Sequence, residues 1–194
     1  KIANQVGSSI GNIFVDQVCP ANGLKKGDYQ EVRMDVNNML AALASKTVDA
    51  MINIEPYNAI AEADGLGTII VNLEKYDNVP VFMAATPDFV EKHPEAVVNY
   101  LKAWLDVAKD FKDNPKKVSD VIYAFFASKG YTMSPQTFAT AMGRIDVAPG
   151  FPQGLEPYMQ KHAEVLLAEK KISAIPDWKK ALRPDFMAKA RAGA

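Results

Sequence analysis

A regular alternation of short strand and short helix over residues 1 to about 74 constrains this chain more than any other feature. Strand, helix, strand repeated three times predicts a parallel sheet with right-handed crossovers, hence an α/β fold. Lys1 to Gln5 reads as a strand. Gly7-Ser8-Ser9 then opens a helix carrying Ile10, Ile13, Phe14 and Val18 at helical spacing, which Pro20 and the Asn22-Gly23 pair are expected to stop. Val32, Met34 and Val36 alternate with Glu31, Arg33 and Asp35, as a strand with one wet face does. Asn37 can cap a short helix from Met39 to Ser45. Val48 to Ile54 is nearly all apolar and suits a strand covered on both faces. Pro56 starts another helix that ends near Gly65, and Thr68 to Leu73 is expected to be a further strand.

After Asn78-Val79-Pro80 the character changes. Val79 to Ala84 is expected to be one more strand, and nearly everything beyond it is helical. Thr86-Pro87-Asp88 is an N-cap with proline in the first turn. Pro94 to Asp113 carries Val97, Leu101, Trp104, Leu105 and Ala108 on one stripe, an amphipathic helix. Val118, Val121, Ile122, Phe125 and Phe126 mark a second, and Tyr158, Met159, His162, Val165 and Leu166 a third, with an irregular stretch at Val147 to Gln153 between them. The strand at 79 to 84 needs a sheet to join, either the first one or strands upstream of residue 1. The boundaries that follow are an α/β lobe over 1–74 and a crossing strand plus helices over 75–194.

Charge and composition exclude several classes of function. Lys and Arg total 22 against 23 Asp and Glu, a net charge of -1, where nucleic-acid binding normally needs a basic excess on one face. No apolar run approaches the ~20 residues of a membrane span. Cys19 is the single cysteine, and among apolar neighbours it reads as a small buried hydrophobe. His93 and His162 are far apart and lack HExxH spacing, so no metal site is expected, and neither a Walker A loop nor a GxGxxG motif suggests a nucleotide cofactor. Lys1 is not Met, and the chain starts inside a strand, which suggests a processed or truncated piece.

Two turns carry the candidate chemistry. Gly7-Ser8-Ser9 stands where a strand becomes a helix, and its free backbone N–H groups and two hydroxyls can hold an anion, although plain N-capping needs only one of those serines. Gly7-Ser8-Ser9-Ile10-Gly11 also matches the GxSxG nucleophile elbow, with Ser9 as nucleophile, Asp146 as acid and His162 as the available base; no HGGG-type oxyanion segment precedes it. Asn53-Ile54-Glu55-Pro56-Tyr57 ends the apolar strand, and ligands of parallel sheets bind at the carboxyl ends of the strands, so this turn and the Gly7 turn share one rim. Glu55 can accept from an amino or hydroxyl group and Tyr57 can stack or donate; Glu55 can equally serve the first turn of its own helix.

Four segments in order look like the solute-binding proteins of ABC importers, in the branch covering nitrate, sulfonates, taurine and thiamine-pyrimidine precursors. They are Gly7-Ser8-Ser9 opening a helix, Leu40-Ala41-Ala42-Leu43-Ala44-Ser45-Lys46 leading to Val48-Asp49-Ala50, Glu55-Pro56-Tyr57, and Phe89-Val90-Glu91-Lys92-His93-Pro94-Glu95 before a long helix. The resemblance spans Lys1 to about Pro115, and the last third only by its helical character. It implies a type II periplasmic binding fold of two α/β lobes joined by crossing strands, with residues 1–74 as most of the second lobe and the helices after Val79 to Ala84 belonging to the first. It also implies that a segment normally found before Lys1 is absent. By the same resemblance, Gly7, Ser8 and Ser9 would hold the anionic head of a small solute. Asn53, Glu55 and Tyr57 would line the opposite wall, and Asn37 is a further candidate. No catalytic residue, cofactor or metal is implied. The expected partners are the small-molecule ligand and an ABC transporter permease, with no nucleic acid and with membrane contact only through the transporter. The expected location is the periplasm, or the cell exterior on a membrane anchor. The alternative is an esterase-like serine hydrolase using Ser9; a third class, a structural helical adaptor, would need an exposed apolar groove.

Overall fold

The computed structural model describes residues 1–77 and 79–193. Three parallel strands organise its first part. β1 (Ile2–Asn4) lies between β2 (Glu31–Arg33) and β3 (Ala50–Met51), with Asn4 in register beside Arg33 and Ala3 beside Met51. Successive side chains of a strand leave on opposite faces. Ile2 and Ile52 accordingly pack with Ile13, Phe14, Val18 and Cys19, while Ala3 and Met51 pack with Met39 and Val48. The sheet is therefore covered on both faces, and Cys19 is the buried apolar residue that its neighbours suggested.

The first helical stretch runs as α1 (Ser9–Ile13), a wider turn over Phe14–Val18, and α2 (Cys19–Ala21). Pro20 lies inside this stretch instead of ending it. The Cys19 N–H reaches back five residues to the Phe14 carbonyl, and this wide turn accommodates a residue with no N–H of its own. Asn22 closes the end, with its side-chain Nδ2 donating to the Val18 carbonyl at 2.8 Å. α3 (Val36–Ala44) starts earlier than expected: Asp35 has the extended backbone of a cap residue (φ -75°, ψ 148°), so Asn37 falls within the first turn and does not cap the helix. α4 (Tyr57–Ala63) follows Pro56.

The strands are shorter or fewer than the apolar pattern predicts. Val48 to Ile54 forms a strand only over Ala50–Met51; the Ile52 N–H still donates to the Ala3 carbonyl at 2.9 Å, and beyond it Glu55 and Pro56 turn the chain into α4. Thr68 to Leu73 and Val79 to Ala84 are not strands. Among the described residues neither finds a neighbour to complete its hydrogen bonds, without which an extended segment is not held as a strand. Leu73–Lys75 forms a short 3-10 turn instead, and Ile70 and Val81 stand 83% and 97% exposed. Asn78, the first residue of the Asn78-Val79-Pro80 boundary, lies outside the described residues.

The helical remainder is α5 (Pro87–Lys92), α6 (Pro94–Asp113), α7 (Pro115–Ser128), α8 (Pro135–Met142), α9 (Leu155–Ala168), α10 (Trp178–Ala181) and α11 (Pro184–Ala192). The chain divides into two compact units, Lys1–Met83 with Pro115–Asp146, and Ala84–Asn114 with Val147–Ala194. The first unit thus holds α7 and α8 together with the sheet. Tyr123 and Phe126 each set a ring 5.7 Å from that of Phe138, and the Tyr123 hydroxyl donates to the Met133 carbonyl at 3.0 Å. Because α8 packs on this side, Val121 and Phe125 of the expected stripe are exposed.

In the second unit Thr86 caps α5, its Oγ1 accepting the Phe89 N–H, and α6 packs against α11, which buries Phe186 and Ala190. α9 buries Leu155 and Ala163, so His162 and Val165, expected on its apolar stripe, are exposed; the His162 ring sits 4.4 Å from that of Tyr158. Trp178 Nε1 donates to Gln160 Oε1 at 2.6 Å and ties α10 to α9.

Candidate functional site at the carboxyl rim of the sheet

A depression of about 560 Å³ opens where β1 and β2 end. Gln5, Val6, Gly7 and Ser8 line it from the first strand, and Arg33, Met34 and Asp35 from the second. The turn after β1 is built by two glycines. Gly7 has φ +87°, a backbone conformation that side-chain-bearing residues rarely adopt. Gly11 is packed so closely that a Cβ there would meet Asn4 Oδ1 and the Gln5 carbonyl oxygen, each at 2.6 Å. Asn4, 1% exposed, donates from Nδ2 to Glu31 Oε2 at 3.0 Å and so fixes the end of β1 to β2 beneath the turn.

Ser8 is the cap of α1: its Oγ accepts the Gly11 N–H at 3.1 Å. A hydroxyl has one proton to give besides the lone pairs it uses as acceptor, so Ser8 can cap the helix and still donate to an anion in the depression. Ser9 is the first residue of α1, is exposed, and does not line the depression.

The other candidates gather at the starts of α3 and α4. The Tyr57 hydroxyl donates to Asn37 Oδ1, joining the two helices. Asn53 is nearly buried, donating from Nδ2 to the Val36 carbonyl at 3.0 Å and accepting the Ile54 N–H on Oδ1 at 2.8 Å. Glu55 uses both carboxylate oxygens: Oε2 accepts the Ala59 N–H at 3.1 Å inside α4, and Oε1 faces Arg144 Nη1 at 3.0 Å. Arg144 also reaches Glu62 Oε2 at 2.5 Å. This guanidinium, helped by the Ile69 N–H, holds the Glu62 carboxyl below its ordinary value, while the two carboxylates raise Arg144. Gly7 and Ser8 are therefore the sequence candidates that meet at the depression; Asn37 is paired with Tyr57, Asn53 with the Val36 carbonyl and Glu55 with Arg144, and none of these four lines it.

Sequence reasoning passed over Arg33 and Asp35. The signal was present, since the alternation Glu31, Arg33, Asp35 marks the polar face of β2, and the end of that strand belongs to the same rim as Gly7.

A parallel α/β unit with its concavity at the carboxyl ends of the strands is a ligand-binding architecture. Residues 1–124 match the NMT1-like family, and the chain belongs to that family, one of ABC-transporter solute-binding proteins for nitrate, sulfonates and thiamine precursors. No curated protein and no solved structure matches it. The family is one of binding proteins and is typically extracytoplasmic. Among the described residues no helix is long and apolar enough to cross a membrane.

Proposed function

We propose that this chain is a periplasmic, or membrane-anchored extracellular, solute-binding polypeptide of the type II periplasmic binding fold. It captures a small anionic solute, in the range of sulfonates, nitrate, taurine-like compounds or pyrimidine precursors, and delivers it to the permease of an ABC importer. Residues 1–74 belong to the second lobe, and the chain from 75 onward carries the return to the first lobe and its helices. Ser8 gives its remaining proton to the anionic head, the backbone around Gly7 and Ser9 closes on it, and Asn37 and Tyr57 complete the wall that Asn53 and Glu55 hold in place. No bond is broken.

The observation that carries this proposal is the depression in which the Ser8 hydroxyl and the Gly7 turn stand beside Arg33. Isothermal titration calorimetry with nitrate, ethanesulfonate and a neutral diol tests it. Saturable binding of an anion but not of the diol, weakened in Ser8→Ala, is expected. Equal heats for all three solutes would contradict it.

A further inference from the structure

Two segments of the first unit, residues 68–73 and 79–83, have the composition of strands and lack the partners of strands. Neither carries a charged side chain, and both are rich in β-branched and large apolar residues. Among the described residues the backbone N–H groups of Ile70, Val71, Val81, Phe82 and Met83 have no hydrogen-bond partner. Val81 and Ile70 are also the two most exposed of the large apolar residues. Extended backbone with free N–H groups and uncovered apolar side chains is a template for a further strand. The total surface leads in the same direction, since the chain exposes 13178 Å². Two compact bodies with the lengths of its two units, counted as fully separate, would expose only about 11,000 Å².

We infer that residues 68–73 and 79–83 form the interface of a homodimer, in which a second copy of this chain supplies the strand neighbours that each segment lacks. This goes beyond solute capture and does not depend on it. The surplus surface is about 2,000 Å² per copy, hence about 4,000 Å² for a pair, within the ~2,000–5,000 Å² that permanent homodimer interfaces bury. A two-fold axis sets a segment antiparallel to its own image, so the same backbone groups that are free in one copy meet free groups in the other. Pro80 stands near the start of the second segment, where a strand tolerates the missing N–H, and leaves Val81, Phe82 and Met83 to pair. Charge selects a copy over an acidic or basic partner: the segments hold no charge for such a partner to engage, and a net charge of -1 leaves two copies with little repulsion.

Analytical ultracentrifugation of the whole chain, from about 1 to 100 μM without added solute, tests this. A species of twice the 21.2 kDa chain mass is expected, dissociating on dilution if at all. Ile70→Lys with Val81→Lys places ammonium groups at two side chains that the single chain leaves in solvent, and should raise the dimer dissociation constant at least about tenfold. Amide hydrogen exchange on the unaltered chain supplies a second readout that needs no variant, and it decides the matter if the substituted chain fails to fold. The amides of Ile70, Val71, Val81, Phe82 and Met83 are expected to be protected where the dimer predominates. A 21.2 kDa species at every concentration overturns the proposal, and so does association that continues past the dimer without a plateau. A dimer that the folded double variant forms as tightly as the parent, or one in which those five amides exchange freely, overturns it as well.

Discussion

Arg144, just beyond α8, donates to Glu55 Oε1 at 3.0 Å, and so joins positions 89 residues apart at the start of α4. The same guanidinium holds Glu62 two turns further along that helix. One side chain thereby fastens α8 to the element that follows the third strand of the sheet. The packing of α4 against α8 and the aromatic contacts of Phe138 continue the same seam.

Removing this clamp should loosen the first unit. Glu55 is only 13% exposed at its side chain, so Arg144→Ala leaves a partly buried carboxylate without its cation. The pair is neither fully buried nor fully solvated, and a loss on the order of 1 kcal/mol is expected in urea unfolding. Arg144→Lys should recover only part of it, because an ammonium cannot present the planar fork that reaches two carboxylates. An unchanged urea midpoint in Arg144→Ala would show that the clamp contributes nothing.

Acid should act through the same contact. The Glu62 carboxyl is held below its ordinary value in the folded chain, so the unfolded state binds a proton more readily than the folded one. The contribution is complete above the unfolded value, at about pH 4.3, and is lost as pH falls through the lower folded value. Stability measured from pH 6 down to about pH 3 should fall less steeply in Arg144→Ala than in the parent chain. Parallel slopes would show that Glu62 does not carry the acid response.

Gly11→Ala should damage the turn after β1. The added methyl would lie 2.6 Å from both Asn4 Oδ1 and the Gln5 carbonyl oxygen, and backbone cannot yield as a flexible side chain can. Overpacking of this kind costs about 1–3 kcal/mol, and the Gly7-Ser8 segment must move with it. Thermal unfolding and anion titration on one sample are expected to show both losses. Normal stability and normal affinity together would contradict this tight approach.

The two serines should separate. Ser8→Ala removes the acceptor of the Gly11 N–H and should cost about 1 kcal/mol as well as anion affinity. Ser9→Ala keeps the cap and should leave stability nearly unchanged. Treatment with a fluorophosphonate is expected to leave Ser9 unlabelled; covalent labelling there would restore the hydrolase alternative.

Local signals and partner-dependent ones were unequally legible in the sequence. α6 runs over Pro94–Asp113 as its stripe predicts, because Pro94 in the first turn and the apolar spacing both lie within the helix itself. β1 and the Gly7-Ser8-Ser9 turn follow from equally local chemistry. Thr68 to Leu73 and Val79 to Ala84 have strand composition, but a strand exists only with a neighbour, and composition does not reveal one. α8, α10 and α11 are short, with few apolar positions to establish a period, and went unmarked. At the candidate site the glycine-serine turn was legible. The ties of Glu55 to Arg144 and of Asn53 to Val36 were not, since each partner lies on a different element.

An amide NMR titration of the whole chain with ethanesulfonate reports both whether an anion binds and where. Saturable shifts are expected, confined to the amides of Val6, Gly7, Ser8 and Ser9 and to Arg33 through Asp35 at the rim of the sheet. Saturable shifts elsewhere with the rim silent, or no saturable shift at all, would contradict it.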